Sequence, residues 1–496
     1  MYFLGIDLGS SSIKLSVLDA QSGTITASVT VPEFEMAIEA PQFGWAEQNP
    51  EAWWAYTKGG IALLNSKYGI DLKKIAAIGI AYQMHGLVLT DEELNPVRPS
   101  IIWCDSRAAE TGDAIYQKMG TDKCQQSILG SPGNFTAAKL KWVKDNEPEV
   151  FNKARFMMLP GDYIAAKLSG VAQTTPSGLS EAALWNFAEN RPATEVLDAM
   201  ELPHNLLPEV VPTFGQQASI NPEIADELGL SNDVKITYRA GDQPNNALSL
   251  GVLNAGEIAT TAGTSAVIYS VTKANAFDAN NRVNTFLHVN NIEEDKSNGV
   301  LLCINGSGIL YQWLRKTLST GADGLISYES LNTEAAKAEP GSKGLRFYPF
   351  GNGVERIFSN KPAMSGIQNL NFNIHNSPEV VRAACEGIVF AMNYGFDIMK
   401  GINAGGTVVK AGRANLFLSP VFREIFVNTT QTTLELYNTS GAEGAARGAA
   451  YGNGYYPTLD AAFENLEHLE TIAPTEELSA KYAEIYNTWK SHINSL

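Results

Sequence analysis

Two acidic residues of this chain stand where an apolar run gives way to a turn, a position suited to an acid–base or metal-binding carboxylate. Asp242 follows the run 234–240 and Gly241, in AGDQPNNALSLG. A carboxylate at a strand-to-helix junction is rigidly held and points into a cleft. The amides of the helix start favour its ionised form by about 0.3–1 kcal/mol. Local sequence also fits a plain helix cap, and taken alone it favours the cap, since Asp is among the commonest capping choices. Asp7 closes an apolar run two residues before Gly9, in LGIDLGSSSIKLSVL (residues 4–18). It reads as a ligand, direct or through water, for a phosphate-bound magnesium ion, which takes one or two carboxylates. The alternative is a turn-forming Asp in a hairpin.

The turn after Asp7 recurs halfway along the chain. Residues 258–271 read IATTAGTSAVIYSV, and setting Gly9 on Gly263 also aligns Ser11 with Ser265, Ser16 with Ser270 and Val17 with Val271. Each copy is an apolar strand, a turn of Gly and small hydroxyl residues, and a second strand. With no bulky side chains in the turn, a phosphate can approach its backbone N–H groups closely. Two such turns face to face would hold a nucleotide's phosphates in a cleft between related domains; chance similarity of two hairpins is the alternative. The first copy has Asp7 where the second has Thr261, so one half carries charge and the other only hydroxyls.

Other residues carry weaker signals. Gln83, Met84, His85 and Gly86 join two apolar strands, and an imidazole and an amide beside a glycine suit sugar hydroxyls; a satisfied core histidine is the plainer reading. Trp103 and Asp105, in IIWCDSR, pair an apolar plate with a carboxylate, as sugar pockets do, or else form a packed Trp and an Asp105–Arg107 ion pair. The turn Lys410-Ala411-Gly412-Arg413-Ala414-Asn415 admits an adenine ring or ribose, or is a strand–helix turn broken by Gly. Neither GxxxxGK[ST] nor GxGxxG with a following acid is present, which disfavours Walker-type ATP binding and nicotinamide chemistry.

The elements that must position these residues alternate in the first half: strands at 2–7, 12–19, 75–81 and 86–90, and a helix opened by Asn49-Pro50-Glu51 that runs to about residue 65. Residues 135–170 read as helical and 190–222 as a long surface connection. After the strand 234–240 come a helix near 244–252, the second hairpin, and helices at 302–316, 378–400 and 443–454. A boundary near 245–255 divides the 496 residues almost equally, as expected for a chain too long for one core. The net charge of −17 argues against nucleic acid or anionic membrane as the main partner. The four cysteines have no CxxC spacing and read as reduced thiols. No run is long enough to span a bilayer, and Asp7 interrupts the N-terminal apolar stretch, so the reading is a soluble cytoplasmic protein with no signal peptide.

Read together, the chain resembles the FGGY family of carbohydrate kinases, most closely its bacterial xylulokinases. The matches span nearly the whole length: GIDLGSSSIK at 5–14, YQMHG at 82–86, RPSIIWCDSR at 98–107, FTAAKLKWV at 135–143 and LPGDYIAAKLSG at 159–170. They continue through AGDQPNN at 240–246, TTAGTSAV at 260–267, KAGRANLFLSPVFREIF at 410–426 and EGAARGAA at 443–450. The resemblance implies an α/β fold of two ribonuclease-H-like (actin/hexokinase-type) domains with an interdomain cleft. It places sugar and catalytic base in residues 1–248 and nucleotide in 249–496. It makes Asp242 the general base and puts Mg²⁺ at Asp7 and Asp242. It puts ATP at Gly9, Ser10, Ser11, Lys14, Gly263, Thr264, Ser265, Gly308, Gly412, Arg413 and Asn415, and the sugar at Gln83, Met84, His85, Trp103, Asp105 and Gln243. The implied reaction is ATP-dependent phosphorylation of D-xylulose at its terminal hydroxyl. The alternatives are a kinase for ribulose, L-xylulose, sedoheptulose or glycerol, or a nucleotide-gated binding scaffold. Homodimers are common among such kinases.

Three stretches depart from the family pattern. Gln243-Pro244-Asn245-Asn246 follows the base in place of Asn-Ala-Ala. The glycine-rich adenosine segment reads Ala-Gly-Arg-Ala-Asn. The family's Asp-Ala-Ser run reads Gly178-Leu179-Ser180-Glu181-Ala182.

Overall fold

The first strand, Tyr2–Leu8, sends its side chains to two faces, and both are buried. On one face Leu4, Ile6 and Leu8 join a core with Trp53, Ile61 and Leu64 of the helix Pro50–Tyr68. On the other, Phe3 packs on Ala446, Ala449 and Ala450 of the helix Gly441–Gly452. A strand covered twice has no solvent face, so its sequence is apolar up to Asp7 instead of alternating. The close cover on the second face explains the small-residue run EGAARGAA: a Cβ on Gly5 would overlap the Ala442 carbonyl oxygen, and one on Gly79 that of Ala445.

The computed structural model describes residues 1–319 and 324–493. It divides into two units. The first comprises Met1–Leu253, Phe286–Asn298 and Thr439–Leu466; the second comprises Asn254–Thr285, Gly299–Asn438 and Glu467–Leu496. A division at residue 248/249 would put 286–298 and 439–466 in the second half, whereas both segments fold with the first unit.

The first unit's sheet runs, in spatial order, Thr24–Val31, Ile13–Asp19, Tyr2–Leu8, Ile75–Tyr82, Lys235–Gly241 and Phe214–Ser219. The second unit repeats this order with Asn298–Ile304, Ala266–Thr272, Glu257–Ala262, Val408–Gly412, Thr433–Asn438 and Glu467–Ile472. In both, the first strand of a hairpin is followed by two parallel strands and an antiparallel edge strand. The recurring hairpin is therefore one corner of a recurring sheet. A separate core surrounds the second sheet, centred on the helix Ser377–Gly401.

Several sequence expectations shift. The single helix expected over 135–170 is Thr136–Asn146, Pro148–Phe151 and Pro160–Ser169 with a strand, Phe156–Met158, between them. Pro148 and Pro160 each start a helix because they cannot continue one. The apolar run expected to open a helix at 302 belongs to the strand Asn298–Ile304, and the helix is Gly308–Leu318; a short apolar run has no period to decide between the two. The 190–222 connection contains the helix Thr194–Ala199 and buries Val196, Leu197 and Met200. Among the described residues no helix is long and apolar enough to cross a membrane.

Candidate active site

In the first unit, adjacent strand ends carry the residues of interest. Asp7 lies one residue from the end of Tyr2–Leu8, opposite Lys14 and beside Ala81 in the sheet register. It faces the start of the helix Gly441–Gly452: a Cβ on Gly441 would lie 2.5 Å from Asp7 Oδ2. Only glycine lets the carboxylate come this near to a helix N-terminus, where anions are favoured. Asp242 is the first residue of the helix Asp242–Ser249, and Gly241, not Asp242, is the N-cap residue. Its carboxylate accepts hydrogen bonds from the Gln243 backbone and side chain. Asn245, one turn on, accepts from Tyr238 Oη at 3.2 Å and donates to the Gly441 carbonyl at 2.9 Å, which ties the two helix starts together.

Burial, with the Asp7 charge adding to it, pushes Asp242 up to about 7. Burial also raises Asp7, and Lys14 partly offsets this. Two half-buried carboxylates that oppose each other's ionisation are a donor set a divalent cation would relieve, and Mg²⁺ needs no more than one or two. The pair therefore fits Mg²⁺. Among the described residues no cluster of three or more His, Cys, Asp or Glu forms a fuller metal cage.

The loop after Ile75–Tyr82 meets this corner. A Cβ on Gly241 would lie 2.5 Å from Met84 Cγ and 2.9 Å from Glu181 Oε1, so glycine permits both to crowd the residue before Asp242. His85 has φ of 61° and its ring packs against both Phe135 and Phe286, with centroids 4.5 and 5.5 Å away. Trp103 is 54% exposed, and its Nε1 donates to Ser10 Oγ at 3.4 Å.

Two residues expected at the sugar are internal braces instead. Asp105 is fully buried, and its oxygens accept from Ala46 N at 2.6 Å, Arg107 N at 2.8 Å and Arg107 Nη2 at 2.7 Å. This is the ion pair the sequence offered as the alternative, and the Arg107 guanidinium is stacked 3.7 Å from the Trp45 ring. Gln83 is 2% exposed and donates to Gln48 Oε1 at 3.1 Å, while Gln48 donates to the Ser10 carbonyl at 2.7 Å. It braces the loop against the first turn. In that turn the Gly9 N–H is taken by Ser12 O at 3.0 Å, whereas Ser11 and Lys14 are exposed. Gln243 is half-buried beside Asp242.

The second unit holds a cavity of about 830 Å³ lined by Gly263, Thr264, Gly308, Asn415 and, among others, Gln312 and Tyr328. The helix Gly308–Leu318 begins against the second turn: Gly308 N donates to Gly263 O at 2.9 Å and Ile309 N to Thr264 O at 3.2 Å. Asn415 takes φ of 54° at the cavity wall. Ser265, Gly412 and Arg413, expected at the nucleotide, do not line this cavity. Arg413 is exposed, and its N–H is spent on the Tyr437 carbonyl at 3.1 Å.

Sequence reasoning missed Glu181, Lys139, Gln48 and Gly441 in the first unit, and Gln312 and Tyr328 in the second. The last two sit in ordinary amphipathic helices, which give no ligand signal. Lys139 lies on the helix Thr136–Asn146, where a lysine is unusual because it is fully buried, and burial brings it down to about 7.

Residues 2–249 match the N-terminal domain, and residues 258–455 the C-terminal domain, of the FGGY family of carbohydrate kinases. A xylulose kinase of Lactococcus lactis subsp. lactis is 28% identical over 500 residues, covering 99% of this chain and 96% of that protein. Among solved structures, a xylulose kinase from Brucella ovis matches with a TM-score of 0.90 at 22% identity, over 100% of this chain and 99% of that one. A gluconate kinase from Lactobacillus acidophilus matches with a TM-score of 0.88 at 22% identity, over 100% and 98%. The chain therefore belongs to the FGGY family of carbohydrate kinases, and its paired α/β sheets are the actin- and hexokinase-like fold of that family.

Proposed function

We propose that this carbohydrate kinase transfers the γ-phosphoryl group of ATP to the terminal hydroxyl of D-xylulose, giving D-xylulose 5-phosphate and ADP. The observation that carries the reading is the Asp7–Asp242 pair, with Asp242 brought to about 7 beside the Met84–His85 loop. A base near neutrality takes a hydroxyl proton and releases it again at working pH. Asp242 accepts that proton at a carboxylate oxygen as the sugar oxygen forms its bond to the γ-phosphorus and the bond to the ADP oxygen breaks. Asp7 and Asp242 would hold Mg²⁺, directly or through water, and the bound ion supplies neutralisation of phosphate charge. Met84, His85 and Trp103 orient the sugar. The cavity lined by Gly263, Thr264, Gly308 and Asn415 takes the nucleotide. Little covalent chemistry is asked of the protein in such a transfer; positioning and charge do most of it.

D-Xylulose is favoured over other acceptors because full-length relatives at 25–28% identity are xylulose kinases. Gluconate is the second reading, on the strength of the equally similar gluconate kinase fold. The deciding experiment is sugar-stimulated ADP release with Mg-ATP across D-xylulose, L-xylulose, D- and L-ribulose, sedoheptulose, glycerol and gluconate, with Asp242→Ala alongside. Turnover on D-xylulose that vanishes in the variant supports the reading. A maximum on another acceptor overturns the substrate and keeps the base. ADP release indifferent to every sugar overturns both.

A further inference from the structure

We propose that Glu181 and Lys139 are positioning residues that fix the backbone conformation and ring tautomer of His85, and with them the sugar-facing loop 83–86. The proposal rests on the reading of that loop as a sugar contact. A histidine in the left-handed region is uncommon and persists where its surroundings impose it. Here they grip it at three atoms. The His85 N–H donates to Glu181 Oε2 at 2.9 Å, and His85 Nδ1 lies 2.9 Å from the Glu181 backbone carbonyl oxygen. The His85 carbonyl accepts from Lys139 Nζ at 2.7 Å. Lys139 Nζ also donates to the Ile102 carbonyl at 3.0 Å, so one amino group references both the His85 loop and the segment leading to Trp103 to the helix Thr136–Asn146.

Both side chains are buried, at 1% and 0% exposure. A buried polar group without partners is costly, so each must be placed where the backbone atoms it serves are fixed. Glu181 closes the short helix Pro176–Glu181, itself anchored by the Thr175 cap. From the same helix Ser177 Oγ donates to the Leu287 carbonyl at 3.3 Å, and Ser180 Oγ accepts from the Leu287 N–H at 3.0 Å. That fastening holds Phe286 against the His85 ring. The segment Gly178–Ala182, where the chain departs from its family's pattern, is thus the outer wall of the His85 site.

The tautomer follows from one constraint: a carbonyl oxygen only accepts, so Nδ1 must carry the proton in its bond to Glu181. In the neutral ring Nε2 is then an acceptor.

The test combines two measurements. The first is steady-state kinetics of Glu181→Leu, Glu181→Gln and Lys139→Met, with sugar and ATP varied separately. The sugar KM is expected to rise about 10- to 100-fold in Glu181→Leu and Lys139→Met, with the ATP KM held within about twofold. Glu181→Gln, which keeps an acceptor oxygen for the His85 N–H, should recover most of the loss. Equal rises in both KM values, or no recovery by Gln, overturn the proposal. The second is a long-range ¹H–¹⁵N histidine spectrum of the wild type at pH 8, with His85→Asn used only for assignment. It should show the Nδ1-protonated tautomer at His85; the Nε2-protonated form overturns the proposal even if the Leu and Met variants fail to fold. The spectrum needs no substrate, so a wild type that phosphorylates no sugar refutes the functional reading alone.

Discussion

At the strand ends of the first sheet stand Asp7, the Met84–His85 loop and Asp242; at the matching ends of the second stand Thr261, the Gly412–Asn415 turn and Asn438. Across the hairpin, Asp7 is opposite Lys14, and Thr261 is opposite Val267. One scaffold thus appears twice, once with its acids concentrated and once neutral. Burial and the nearby Asp7 charge raise Asp242, and two such carboxylates attract a cation, which suits proton transfer. A neutral turn of Gly and hydroxyl residues leaves backbone dipoles uncontested, which suits a polyanion. The two copies differ in their strand-end residues and share their strand order.

The strongest way to break the comparison is to remove the acid that has no counterpart. Asp242→Ala should lower kcat by about 10²- to 10⁴-fold while the ATP KM stays near wild type. A loss confined to the ATP KM would place the base elsewhere.

Making the first copy resemble the second comes next. Asp7→Asn removes a charge that holds Asp242 up. In the wild type, kcat/KM for sugar should rise as pH increases through about 7, and in the variant that limb should move to lower pH at a reduced rate. Stability runs the other way. A raised native carboxylate pKa means the folded protein keeps a proton that the unfolded chain has lost, so the contribution is fullest below the ordinary carboxylate range and declines as pH rises through about 7. Thermal midpoints of the metal-free wild type should therefore fall relative to Asp242→Asn between pH 5 and pH 8. A difference independent of pH would mean that the folded protein does not hold Asp242 above the ordinary carboxylate range.

On the neutral side, a Cβ on Gly308 would overlap the Gly263 carbonyl oxygen. Gly308→Ala should raise the ATP KM by roughly tenfold and cost about 1–3 kcal/mol of stability, with the sugar KM unchanged. Isothermal titration with a non-hydrolysable ATP analogue reads the first effect directly. The smallest change is expected at Arg413→Gly: an exposed side chain away from the cavity should alter the ATP KM by less than about twofold, within the usual ±0.5 kcal/mol of surface substitutions.

Much of this was legible in the sequence because it is written in local patterns. The hairpin duplication needs only short apolar strands and a Gly/Ser turn, and Asp242 needs only a strand, a glycine and a helix start. What stayed hidden depends on contacts distant in sequence. Whether Asp105 meets a sugar or an arginine depends on Ala46 and Arg107 together. Glu181 reaches the His85 N–H across 96 positions. EGAARGAA is readable as a small-residue helix, but its reason, the glycines at 5 and 79, lies more than 360 residues away.

That last pairing has a consequence for how the chain is made. During synthesis the first sheet's strands leave the ribosome well before the helix that covers Gly5 and Gly79, which is Gly441–Gly452. Until then one apolar face of the nascent sheet has no partner. The unit that carries both acids is interrupted in sequence by most of the other, so its assembly is limited by a contact of very long sequence separation, and a fragment ending at residue 253 would present that bare face to chaperones or to other copies of itself.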